Sequence, residues 1–222
     1  MARLIPHPQA LIDQLLRLVI HPTPREPAGS TTTDERILDA ALAGFTAHGI
    51  RATTMSQIAR DAHISREWLY KRFPNRNAIV LAVTRREAVR LIDGLVVHVA
   101  EMHDVDEAAT EAFVFAIEFL RDHALLQRVL TSETDALGPT LVDAGPVVGI
   151  AVQTAAGYLS ALGNLRPEDA TVAAETIVRL AASIVLAPKG TLDLHDPVQL
   201  RRYARAAIPA ILTVRSGSPV PP

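Results

Sequence analysis

Three observations predict an all-α fold for this chain of 222 residues. Apolar residues make up 49% of it but aromatics only 4%, so the core must be built from Ala, Leu, Val and Ile, a mixture that favours helices. Apolar positions recur with the helical period almost continuously from residue 33 to residue 214, in segments that end at Gly or Pro. The period-two alternation of half-buried strands is scarce.

Taken in order, residues 1–30 read as an N-terminal extension with one helix, in which Leu11, Ile12, Leu15, Leu16 and Val19 share a face and Asp13 and Arg17 pair on the other. That face can dock on the protein itself or lie on a membrane, and the single basic residue of the polar side favours the first. Thr33 and Asp34 can cap a helix through His48, where Ile37, Leu38, Ala41, Leu42 and Phe45 line one side and Gly49 ends it. Thr54 caps a short second helix and Ser65 a third. After Pro74 a long helix is expected from Asn77 to Met102, followed by helices over Asp106–His123, Ala124–Glu133, Gly145–Leu162, Pro167–Leu186 and Pro197–Val214. The tail over 216–222 reads as disordered.

The totals exclude several classes of function. With no cysteine, thiolate catalysis, disulfides and Cys-based zinc sites are impossible. No run of eighteen apolar residues lacks a charge or a breaker, so no membrane span is expected, and the interrupted N-terminus makes a poor signal peptide. A cytoplasmic protein fits these features. The sequence also lacks a Gly-rich phosphate loop, GxSxG and HExxH, and His98 and His103 are spaced too far apart to share a helix face cleanly, so neither an enzyme, a metal nor a cofactor is expected.

The net charge of −2 hides one strongly basic segment. Between Arg51 and Arg90 stand nine basic residues and only three acids, Asp61, Glu67 and Glu87. That segment suits an anion. Within it, Ile58, Ala59, Ala62 and Ile64 describe a short helix with a small residue, Ala59, where a second helix crosses, and Leu69 supplies the facing contact. The turn between them falls on His63, and His tolerates the left-handed conformation such turns need. With Leu69 and Phe73 inward, the third helix presents Arg66, Glu67, Tyr70 and Lys71, with Trp68 towards one edge. Its basic side chains can neutralise phosphates, the backbone donors behind Ser65 can add to them, and its first turn can reach base edges in a major groove.

The stretch TMSQIARDAHISREWLYKRFPNRNAIV resembles the DNA-binding signature of TetR-family transcriptional regulators: a capping Thr, Ile-Ala, an Ala-Gly-Val-Ser turn, a Tyr three residues before Phe, and a Lys-containing turn into the fourth helix. Three positions depart from it. His63 stands for Gly and Arg76 for the common Lys, which preserves the physics, while Trp68 is bulkier than usual and bears on which operator is read. The resemblance implies that Thr54, Tyr70, Lys71 and Arg76 contact phosphates of a double-stranded DNA operator, with Ser65 capping the reading helix. Arg66, Glu67 and Trp68 would read sequence, Arg66 pairing with guanine, and Glu67 either accepting from cytosine or holding Arg66 in place.

It also implies an organisation: the extension over 1–30, the helix-turn-helix domain over 31–78, and a helical effector-binding and dimerisation body over 79–215. A homodimer is implied through the last two helices. There Ala173, Ala174, Ile177, Leu180, Ala181, Ile184 and Val185 form a stripe that can serve either a partner copy or the chain's own core. Three of the five phenylalanines cluster over 113–120, again as core or as the wall of a pocket. With Met102, Val152 and Tyr158, Phe113 and Phe119 would line a site for a small apolar effector while Phe115 packs elsewhere. The expected function is a ligand-responsive repressor. The alternative is a helical ligand-binding protein or enzyme whose helix-turn-helix is vestigial or serves protein contacts.

Overall fold

The computed structural model describes residues 31–132, 145–163 and 165–213. The helix expected within residues 1–30, the end of the helix expected at Glu133 and the tail at 216–222 lie outside them. The described residues form nine helices: α1 (Thr31–His48), α2 (Met55–Asp61), α3 (Arg66–Arg72), α4 (Arg76–Val99), α5 (Val105–Asp122), α6 (Ala124–Ser132), α7 (Gly145–Gly163), α8 (Pro167–Leu186) and α9 (Pro197–Leu212). No strand occurs among them. They divide into two compact units, one with residues 31–92 and 121–132 and one with the rest.

In the first unit α1 begins two residues before the expected cap, so Asp34 falls inside its first turn. Gly49 ends the helix with φ 92°, donating its N–H to the Phe45 carbonyl at 2.9 Å. This is the left-handed stop for which Gly pays no Cβ penalty. Ile37, Ala41 and Phe45 from α1 are fully buried with Ile58 of α2, Leu69 of α3 and Ile79 of α4. Gly44 lets Thr53 approach: a Cβ at residue 44 would stand 2.9 Å from the Thr53 methyl. Thr53 is itself fully buried and donates its hydroxyl to the Gly49 carbonyl at 2.8 Å.

The second unit is built on small side chains. Ala170, Ala173 and Ala174 of α8 are buried, which lets α8 lie close along α7, and one core joins them to Phe113 and Ile117 of α5, Val152 and Leu159 of α7, and Leu200, Ala204 and Ile208 of α9. Packing at this density leaves small helix faces as the places of closest approach. Ile184 and Val185 are also buried, and Ile177, Leu180 and Ala181 pack against the same core. Four of the seven stripe residues are thus buried within the chain itself, and the other three are partly buried against its core. Asp196 caps α9 by accepting from the Val198 N–H at 2.9 Å, and that bond, with a second from Gln199, holds its carboxyl below the usual range.

Candidate nucleic-acid interface

The helix-turn-helix is set by two side-chain caps. Thr54 Oγ1 accepts from the Gln57 N–H at 3.2 Å and Ser65 Oγ from the Trp68 N–H at 3.1 Å, each satisfying a donor that a helix start leaves open. Between them, His63 adopts φ 53°, the left-handed turn expected of it, and the Ile64 N–H returns to the Ala59 carbonyl at 2.9 Å. Ala59 is buried at the crossing.

Because Leu69 is the residue of α3 that is buried, the helix turns Arg66, Glu67, Trp68, Tyr70 and Lys71 outward. Trp68 is 37% and Tyr70 50% exposed, uncovered apolar surface that a globular unit ordinarily buries. Thr54 is exposed at the start of α2. Thr54, Ser56, Gln57, Ala59, Arg60, Ile64 and Arg66 line an open cleft of about 370 Å³ between the two helices. Gln57 and Arg60 are additions to the expected set. Gln57 stands one turn beyond Thr54 and Arg60 one turn beyond Gln57, both turned away from the buried Ile58, so the helical period alone could have found them.

The basic residues of this segment divide by partner. Arg72 donates from Nε and Nη2 to Asp34 of α1, the shortest contact being 2.7 Å. Arg76 donates from Nη1 to the Arg51 carbonyl at 2.6 Å, tying the start of α4 to the turn before α2, while its Nε is buried without a hydrogen-bond partner. Arg36 of α1 donates through Nη2 to the carbonyls of Ala62 and, at 3.3 Å, His63. Arg86 of α4, 9% exposed at its side chain, meets Glu35 at 3.1 Å, Asp39 at 2.8 Å and Glu87 at 3.1 Å. Arg66 and Lys71 remain exposed on α3.

The residues expected to line an effector site do not share one environment. Phe113 and Val152 are buried in the core of the second unit. Phe119 stacks on Phe115, with centroids 6.2 Å apart, and Phe115 stacks in turn on His98 at 5.0 Å. Phe119 thus pairs with Phe115, which the four-residue spacing puts on one face with it, while Phe113 points into the core. Met102 and Tyr158 meet at the end of α4, where the Val99 carbonyl accepts from the Met102 N–H at 3.0 Å and from the Tyr158 hydroxyl at 3.4 Å. Burial raises the Tyr158 phenol, so it stays a protonated donor there. Among the described residues no cluster of three or more His, Asp or Glu could hold a metal ion, and no helix is long and apolar enough to cross a membrane.

These features agree with what the chain is similar to. The family model of bacterial regulatory proteins of the tetR family matches residues 37–83, and that of the tetracyclin repressor C-terminal domain matches residues 104–197. Together they account for more than half of the chain. The HTH-type transcriptional regulator Rv1255c of Mycobacterium tuberculosis is 29% identical over 154 residues, 69% of this chain and 75% of its own. Rv2250c of the same organism, also an HTH-type transcriptional regulator, is 27% identical over 179 residues, covering 75% and 83%. The TetR family repressor AlkX of a Dietzia species, implicated in biodegradation of n-alkanes, has the same fold: TM-score 0.65 at 23% identity, over 80% of this chain and 96% of its own. The relatives are regulators rather than enzymes, and this chain is a helix-turn-helix transcriptional regulator that belongs to the TetR family.

Proposed function

We propose that this regulator is a cytoplasmic repressor that binds a pseudo-palindromic operator as a homodimer and leaves it when a small apolar effector binds the second unit. One observation carries the DNA-binding part: α3 buries Leu69 and turns Arg66, Glu67, Trp68, Tyr70 and Lys71 to solvent, beside a cleft rimmed by Gln57 and Arg60. Thr54, Tyr70, Lys71 and Arg76 serve as phosphate contacts. Arg76 can do so while anchored to Arg51, because a guanidinium carries five donors. Arg66, Glu67 and Trp68 read bases, and Gln57 and Arg60 join them from α2.

The test begins with selection of bound sites from genomic DNA. On the selected operator, Lys71→Ala should lower the slope of log affinity against log salt by about one while keeping the sequence preference. Arg66→Ala should instead relax one base position per half-site, at about 1–3 kcal/mol. Salt-independent binding by the wild type, or failure to select any site, would favour a helix-turn-helix turned to protein contacts.

Response to an effector is linkage, in which the effector weakens DNA binding by the factor that DNA weakens effector binding. With Phe113 and Val152 in the core, the half-buried Met102 and Tyr158 are the better candidates for the lining. Met102→Trp should shift the dose response to the compound handled by genes beside the operator by about tenfold, leaving effector-free operator affinity unchanged. An unmoved dose response would end this assignment. For the dimer, the outward face of α8, with Val172 64% and Leu186 48% exposed, offers more open surface than the stripe.

A further inference from the structure

We infer that the first two turns of α1 hold the recognition helix at both ends, so that Asp34, Arg36 and Arg72 are positioning residues for operator recognition. This rests on the DNA-binding reading of α3. α3 has seven residues and one of them, Leu69, is buried. A helix this short has no stability of its own, and one apolar anchor fixes its depth while leaving its tilt and rotation to other contacts. The polar anchors that supply those contacts come from α1. At the entry to α3, Arg36 Nη2 donates to the carbonyls of Ala62 and His63, the residue that caps the end of α2 and the left-handed residue of the turn. A cation is the donor best matched to two adjacent carbonyls at a helix end. At the exit, the Arg72 guanidinium grips Asp34 with Nε and Nη2 together, a planar two-bond geometry that fixes direction as well as distance.

Asp34 and Arg36 are two residues apart on one helix, yet they reach points ten residues apart in sequence at opposite ends of α3. The pair therefore acts on orientation. α1 is held in turn, since Glu35 and Asp39, between and beyond these two residues, bind Arg86 of α4. Arg72 is consequently withdrawn from the set of phosphate ligands, although it lies next to Lys71 in the basic segment. Its side chain is 30% exposed and that of Asp34 17%, so the pair is screened less than a surface ion pair.

The experiment is a charge swap read on the selected operator and on non-specific duplex DNA in parallel. Arg72→Asp and Asp34→Arg should each weaken operator binding about tenfold relative to non-specific duplex DNA, the equivalent of one lost bidentate base contact, while non-specific affinity follows the charge alone, down for the first and up for the second. The double variant, Asp34→Arg with Arg72→Asp, should recover most of that loss. If the double variant binds the operator as weakly as Arg72→Asp alone, Arg72 acts on DNA itself and the clamp is wrong. Arg36→Gln, which keeps an uncharged amide donor group for the carbonyls, should be milder than Arg36→Ala on the operator and equal to it on non-specific DNA. Equal losses on both DNAs, or a loss that follows only the thermal midpoint, would reduce Arg36 to a stabilising residue. A wild-type protein that selects no operator would overturn the DNA-binding reading instead, and the two failures are thereby distinguished.

Discussion

Leu69→Ala is expected to cost about 3 kcal/mol of stability and to lower operator affinity by up to about a hundredfold. The first figure follows from removing a fully buried leucine, where lost transfer energy and residual cavity together reach about 2–5 kcal/mol. The second follows from where the loss falls. Leu69 is the buried contact of α3, with Ile64 and Phe73 only partly buried around it, so the undocked α3 becomes populated and apparent affinity drops with the competent fraction. Denaturant unfolding and operator titration measure the two quantities on one preparation. A loss under about 1 kcal/mol with normal operator binding would mean that α3 is not anchored through this side chain.

The parts of this site that are legible in sequence alone are those whose causes are local. Thr54 and Ser65 as caps, Gly49 as a stop, Ala59 at the crossing and His63 in the left-handed turn each follow from a preference of one residue within a few neighbours. The ends of α8 follow from Pro167 and from the break after Leu186 for the same reason. What escapes is long-range. Nothing near Arg36 in sequence marks the carbonyls of Ala62 and His63, 26 and 27 residues away, as its acceptors, and nothing near Arg72 marks Asp34. Ion pairs of this kind are decided by how helices cross, after the apolar faces have met.

The stripe on α8 shows a second limit. Periodicity says that Ala173, Ala174, Ile177, Ala181 and Ile184 seek a neighbour but not whose. In the structure α7, α5 and α9 supply it. For the phenylalanines the information is present: Phe115 and Phe119 are four apart and so share a face, a relation hidden when both are measured against Phe113. The Phe115 ring also needs Gly94, where a Cβ would come within 2.8 Å of it. No local rule joins those two positions.

The division of α8 into an inner and an outer face makes opposite demands on two substitutions. Ala174 is fully buried in the core of the second unit, so Ala174→Glu must overpack that core and place a carboxylate where it has no partner. Overpacking costs about 1–3 kcal/mol and an unpaired buried polar group several more, so a total loss above about 4 kcal/mol is expected, enough to unfold a unit of ordinary stability. Circular dichroism during thermal unfolding reads this, and a wild-type midpoint would show that the stripe is not core. On the outer face Val172, Arg179 and Leu186 follow one another at seven-residue steps, within about 40° of one line, and Val172 and Leu186 are exposed. Val172→Lys combined with Leu186→Lys should leave the fold of the chain intact, since each exposed change is worth about 0.5 kcal/mol or less, and the first of the two new ammonium groups would stand one turn after Glu168. In an isologous dimer, however, each new charge meets the partner's copy of the same basic line and is both repelled and desolvated. The doubly substituted chain should therefore sediment as a monomer at concentrations where the wild type is a dimer, and its thermal midpoint should lose the dependence on protein concentration that an associating protein has. A dimer that survives both substitutions would remove the outer face of α8 from the interface and leave the exposed side of α9, around Val198 and Arg202, as the surface to be tried.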